Sequence, residues 1–281
     1  MIRGCLCLLA VSIASLSADD HAPIRPGDHI AIIGNTFADQ LRTHGYLETL
    51  LLQHNRENPF SIRNLGWGGD RLNSRDRPTG FPTEEETLTA HRADVIIACF
   101  GMGESFAGDN GIDEFKRQLQ SLIDSHTGKS YNGNSEVRLI LVSPIAYEDL
   151  GKLTPAREKR NRELKAYTQA MRDVAAAAKV PFVDLFEVSL SLMDEATGPK
   201  LTNNGIHLNP YGYWAISHAF FDQLTASDRE SKNPSSWRIR VDAGTLTTDG
   251  SGVEVLEVAR HESGLSFLVS EVQRHSSDHA C

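Results

Sequence analysis

The stretch Asp28–Leu41, DHIAIIGNTFADQL, constrains the fold more than any other part of the chain. An apolar run from His29 to Ile33 stops at Gly34 and gives way to a polar turn. Beyond Thr36, Phe37 and Leu41 are spaced four apart, as one side of a helix requires. The pattern is a strand, a tight turn and a helix start, with Asn35 and Thr36 at the strand's carboxyl end. In open α/β sheets, polar groups converge on a ligand at that end. Thr36 is then either a reactive hydroxyl in a site or an N-cap that accepts a bond from the first-turn amides.

The same alternation continues along the chain. A helix is expected over roughly Phe37–Asn55, then a strand over Phe60–Leu65 that runs into the glycine-rich turn Gly66–Asp70. Arg71–Glu86 is polar, broken by Pro78, Gly80 and Pro82, and reads as a long surface loop. Asp94–Phe100 is continuously apolar, which fits a central strand buried on both faces. It ends in a second glycine turn, Gly101–Ser105, and Ile112–Ser125 follows as an amphipathic helix. Val137–Val142 is the next strand, Pro155–Lys179 a charged helix, Val180–Asp184 a short strand and Leu185–Glu195 a helix. The loop Asn203–Asn209 then leads into a closing helix, Tyr211–Leu224. Alternation of this kind predicts an α/β domain over 28–226 with a five-stranded parallel sheet covered on both faces.

Both ends differ in texture from this domain. Arg3 followed by the apolar Cys5–Leu16 and the small residues Ser15–Ala18 reads as a signal peptide over 1–18. The expected location is therefore secreted or periplasmic, with no stable membrane insertion after cleavage, because the apolar run is too short to span a bilayer. Residues 237–273 read as a small β-rich segment of short strands (WRIRV, VEVLEVA, LSFLVSEV). Two of the four cysteines would leave with the signal; Cys99 sits in an apolar strand as a core residue, and its pairing with Cys281 is left open. A net charge of −9 argues against nucleic acid as a partner. His21, His29, His44, His54 and His91 lack ligand spacing, so neither a metal nor another cofactor is expected.

Glycine turns after three strands and the element Gly205-Ile206-His207 would lie along one rim of such a sheet. Backbone amides there can surround a developing oxyanion, and His207 is the natural general base. The blocks Gly34-Asn35-Thr36-Phe37, Asn64-Leu65-Gly66-Trp67-Gly68-Gly69-Asp70, Gly101-Met102-Gly103-Glu104 and Asn204-Gly205-Ile206-His207-Leu208-Asn209-Pro210-Tyr211-Gly212 stand in this order. In that order and spacing the chain resembles the SGNH, or GDSL-like, hydrolases over residues 28 to 224.

The resemblance implies a flavodoxin-like three-layer α/β/α fold and an esterase or acylhydrolase acting on a small-molecule carboxylic ester, an acylated carbohydrate included. It aligns Thr36 with the family's nucleophilic serine, Asn35 with the preceding aspartate and Gly103 with the oxyanion-hole asparagine. Asn204 aligns with the aspartate that orients the histidine, and Gly69 and His207 keep their identities. Catalysis would then run through Thr36, His207 and Asn204, with Gly69, Asn35, Gly103 and Glu104 around the oxyanion and substrate. A threonine hydroxyl attacks with a methyl crowding its approach, and Asn204 cannot stabilise an imidazolium as a carboxylate does. The alternative is a catalytically impaired binding or structural module that keeps the cleft. Glu104 is alternatively a solvated loop carboxylate. Arg71, Arg75 and Arg77 either meet an anionic substrate group or form a charged loop face.

Overall fold

The computed structural model describes residues 22–151, 157–194, 198–226, 238–241, 245–251, 253–261 and 264–271. The expected signal peptide and Cys281 lie outside them. The chain separates into two compact units, residues 1–227 and 228–281.

In the first unit, five strands form one parallel sheet: β1 (His29–Gly34), β2 (Ser61–Asn64), β3 (Val95–Cys99), β4 (Arg138–Val142) and β5 (Phe182–Val183). Their order, β2-β1-β3-β4-β5, is the flavodoxin-like one, and its direction reverses between β1 and β3. That switch point opens a crevice beyond the carboxyl ends of these two strands. β3 reads as an unbroken apolar run because it is central: all five of its residues are buried.

Side chains of β1 alternate between two cores. Ile30 and Ile32 face one, and Ala31 and Ile33 face the other. The first core packs under α1 (Thr36–His44), α2 (Tyr46–His54), α6 (Leu185–Asp194) and α7 (Pro210–Thr225). The second lies under α3 (Glu84–His91), α4 (Ile112–His126) and much of α5 (Arg157–Ala178). Each fully buried Ile or Leu contributes about 1.5–3 kcal/mol, so facing both ways at once fixes the register of β1 strongly.

Two expectations are corrected here. The single helix over Phe37–Asn55 is two helices that turn at Gly45 (φ 65°), whose N–H closes α1 on Leu41 O at 2.9 Å. The long loop Arg71–Glu86 ends earlier, because α3 begins at Glu84. Thr83 accepts from Glu86 N–H at 3.1 Å, while the Glu86 carboxylate accepts from Thr83 N–H at 2.7 Å. That capping box, Thr-Glu-Glu-Glu, was already written in the sequence.

In the second unit, β6 (Arg238–Val241) pairs antiparallel with β7 (Thr248–Ser251), and β8 (Val253–His261) with β9 (Gly264–Glu271).

Candidate active site

The corner after β1 is pressed against β3. Gly34 has φ 139°, and a Cβ there would come 2.2 Å from the carbonyl oxygen of Cys99, so only glycine fits. Asn35 N–H donates to that same carbonyl at 3.2 Å. The Asn35 side chain then accepts from Phe37 N–H at 3.0 Å and caps α1. Asn35 thus takes the capping role that the sequence left open for Thr36. Thr36 is the first helical residue, its hydroxyl oxygen accepts from Gly69 N–H at 3.3 Å, and its own N–H has no partner among the described residues.

The turn after β2 is tied to α1 by Asn64, which donates to Ala38 O at 2.7 Å and accepts from Gly66 N–H at 2.8 Å. Gly69 follows with φ 91°, and its amide is thereby aimed at Thr36. Asp70 is buried, and Arg77 grips its carboxylate with two bonds of 2.9 and 2.6 Å. Arg75 pairs with Glu84 at 2.6 Å. These two arginines are therefore structural ties, and Asp70 is a neutralised wall of the pocket.

Glu104 departs from its expected place among the substrate contacts. One carboxylate oxygen accepts from Leu72 N–H and the other from Gly101 N–H, both at 2.9 Å. It joins the loop after β2 to the turn after β3, and it is absent from the pocket lining, whereas Gly103 is part of it. Neither the solvated-loop alternative nor the substrate contact describes this carboxylate.

His207 comes from the loop before α7, and a buried carboxylate anchors that loop. Glu148, 1% exposed, accepts from Leu201 N–H (3.0 Å), Thr202 N–H (2.7 Å) and the Thr202 hydroxyl (2.7 Å). Asn204 accepts from His207 N–H at 2.9 Å and Ile206 N–H at 3.3 Å, which fixes its carbonyl end toward the backbone. Its Nδ2 therefore faces His207 Nδ1 at 2.9 Å. An amide nitrogen only donates, so Nδ1 accepts, and the proton of the neutral ring sits on Nε2.

These parts meet in one cavity of about 180 Å³ at the carboxyl ends of the strands. Asn35, Thr36, Gly69, Asp70, Arg71, Gly103 and His207 line it, with Phe37, Met102, Phe106, Ile145 and Ile206 as apolar walls. Among the described residues Thr36 Oγ1 has its hydrogen bond with Gly69, and none joins it to His207. Burial pushes the Cys99 thiol far above its ordinary range, so it is inert. Sequence reasoning missed Glu148, Phe106 and Ser143. The Ser143 hydroxyl accepts from Leu185 N–H (2.8 Å) and Phe186 N–H (3.0 Å), which starts α6. Only contacts distant in sequence reveal Glu148 and Ser143; the exposed Phe106 had no signal of its own.

The parallel sheet and its order, with this rim of glycine turns at one end, are those of the SGNH-type α/β fold. The chain belongs to the GDSL-like Lipase/Acylhydrolase family, which matches residues 27–215. Among solved structures it is similar to Axe2, an acetylxylan esterase from Geobacillus stearothermophilus, at 18% identity and a TM-score of 0.57, covering 75% of this chain and 100% of that one. LAE5, an alpha/beta hydrolase enzyme from the metagenome of Lake Arreo, Spain, is similar at 18% identity and TM-score 0.52, covering 73% of this chain and 100% of that one. A third is BT4096, a gut microbial diltiazem-metabolizing enzyme, at 18% identity and TM-score 0.55, covering 91% of this chain. This chain spans 59% of the length of that protein. At such identities the likeness is one of fold. No curated protein sequence matches the chain. Among the described residues, no helix is long and apolar enough to cross a membrane.

Proposed function

We propose that the protein is an exported acylhydrolase that cleaves a small carboxylic ester, with acetylated carbohydrates in its substrate range. The observation that carries this reading is the 3.3 Å contact between Thr36 Oγ1 and Gly69 N–H at the cavity. It puts a hydroxyl nucleophile beside an amide able to hold an oxyanion, next to the Thr36 N–H at the start of α1, which has no partner among the described residues.

In the cycle, His207 takes the Thr36 hydroxyl proton as Oγ1 bonds the ester carbonyl carbon. The resulting oxyanion receives the N–H groups of Thr36 and Gly69. The carbon–alkoxy bond breaks, and His207 returns the proton to the leaving alcohol. Water then attacks the acyl-threonine with His207 again taking a proton, the acid departs, and Thr36 Oγ1 is reprotonated. His207 serves as base only with Nε2 bare, whereas Asn204 favours the proton there. Proton transfer is thus the slow part, and turnover is low.

The same Asn204 contact favours a second reading, a binding module in which His207 offers Nε2–H to a ligand and no turnover follows. The mature protein assayed with p-nitrophenyl acetate and a panel of acetylated sugars, against Thr36→Ala and His207→Ala, separates the two. Wild-type hydrolysis above both variants supports the acylhydrolase. A wild type no faster than either leaves the binding module.

A further inference from the structure

Resting on the acylhydrolase reading, one side chain narrows the substrate class. Among the described residues, Arg71 is the only lysine or arginine that lines the cavity. The other arginines of its loop are neutralised, Arg77 by Asp70 and Arg75 by Glu84. Asp70, the carboxylate in the cavity wall, is already taken by Arg77, and the Glu104 carboxylate by two backbone amides. The Arg71 side chain has neither an ion pair nor a hydrogen bond among the described residues. In a chain of net charge −9, this leaves a local positive charge in a cavity that the Gly69 and Thr36 amides also face.

The position of Arg71 is held from two sides. Its backbone exchanges hydrogen bonds with Ser74, at 3.0 and 3.2 Å. The next residue, Leu72, is pinned through Glu104 to the turn after β3. The side chain consequently lies on Gly103: a Cβ at 103 would come 3.2 Å from Arg71 Nε and 3.3 Å from Cγ. Gly103 has φ −68° and ψ −41°, a conformation open to any residue. The backbone therefore places no demand for glycine at 103. The space a side chain would fill there is used by the arginine.

We infer that the site takes esters carrying a carboxylate beside the scissile bond, with the Arg71 guanidinium receiving that carboxylate. A guanidinium fork matches a carboxylate in two parallel bonds, a geometry an ammonium does not reproduce. The Gly69 and Thr36 amides remain for the carbonyl that reacts. The cavity of about 180 Å³ suits a short half-ester of a dicarboxylic acid better than a long acyl chain.

Calorimetry with succinamate and its neutral counterpart succinamide tests this without turnover. Wild type is expected to bind succinamate at least about tenfold more tightly, Arg71→Ala to lose that preference, and Arg71→Lys to keep part of it. Arg117→Ala, which removes an exposed arginine of α4, serves as the control, and thermal melting verifies folding of each variant. Equal binding of the two compounds by wild type, or an anion preference that survives in Arg71→Ala, overturns the inference. With mono-p-nitrophenyl succinate and p-nitrophenyl butyrate, Arg71→Ala should raise KM for the anionic ester alone. A fall in kcat on both esters at unchanged KM would put Arg71 on the oxyanion and overturn the carboxylate assignment. Succinamate binding without hydrolysis of either ester leaves the site standing and removes the acylhydrolase reading. Hydrolysis without anion preference does the reverse.

Discussion

Asn204 Nδ2 meets His207 Nδ1 at 2.9 Å, with the Asn204 carbonyl held by two backbone amides. The amide cannot flip to offer its oxygen to the ring without leaving those amides unpaired. A carboxylate at this position would accept from Nδ1–H, bare Nε2 toward the cavity and balance the imidazolium formed during proton transfer.

Asn204→Asp is therefore expected to raise kcat on p-nitrophenyl acetate. The reverse change in a serine-protease triad lowers turnover about 10⁴-fold, and a gain of about 10²-fold or more is expected here because the crowded threonine remains. An unchanged kcat in a folded Asn204→Asp variant would remove His207 from the role of base.

The Thr36 hydroxyl is in place, but its methyl stiffens χ1 and crowds the approach of a carbonyl. Thr36→Ser keeps the oxygen and removes the crowding. A severalfold increase in kcat, up to about tenfold, is expected with little change in KM. Slower turnover by the serine variant would show that the methyl helps to hold the reactive rotamer.

Glu148 is buried and accepts three different donors of the His207 loop. Glu148→Gln turns one acceptor end into a donor facing backbone N–H groups. A loss of about 1–3 kcal/mol in urea unfolding is expected. Faster amide exchange at Leu201 and Thr202, read by mass spectrometry, should accompany it. A variant as stable as wild type with unchanged exchange would show that the loop is held elsewhere.

His126 is buried with Nδ1 at 3.0 Å from the Tyr131 hydroxyl, and Nε2 has no hydrogen-bond partner among the described residues. Burial lowers its proton affinity in the folded protein and outweighs the attraction of Glu84, 3.9 Å away. Above the ordinary histidine value of about 6.5 both folded and unfolded rings are neutral. As pH falls below it, the unfolded ring takes a proton that the folded ring refuses, so stability drops. Urea unfolding at about pH 7.5 and about pH 5.5 should show that loss, and His126→Phe should make it smaller. His91, also lowered by burial, accounts for part of the remaining slope.

Much of the sheet was readable from local pattern. β3 and β4 announced themselves as apolar runs, and Gly34 marked the end of β1. The break at Gly45 was hidden because leucines continue on both sides of it, Leu41 before and Leu47 and Leu51 after, while the turn depends on one left-handed residue. In the site, Gly69, Gly103 and His207 line the cavity. Glu104 does not, since its partners Leu72 and Gly101 come from two different strand ends.

By itself, the sequence determined the alternation of strands and helices, the order of the glycine turns and the hydroxyl at position 36. These follow from residue periodicity and backbone freedom, which are local properties. Tertiary structure alone decided that Asn35 rather than Thr36 caps α1, that Glu148 holds the His207 loop, and that Arg71 fills the space beside Gly103. Each depends on which groups a folded sheet brings within a few ångströms, where hydrogen-bond direction and unpaired charge assign roles that residue type leaves open.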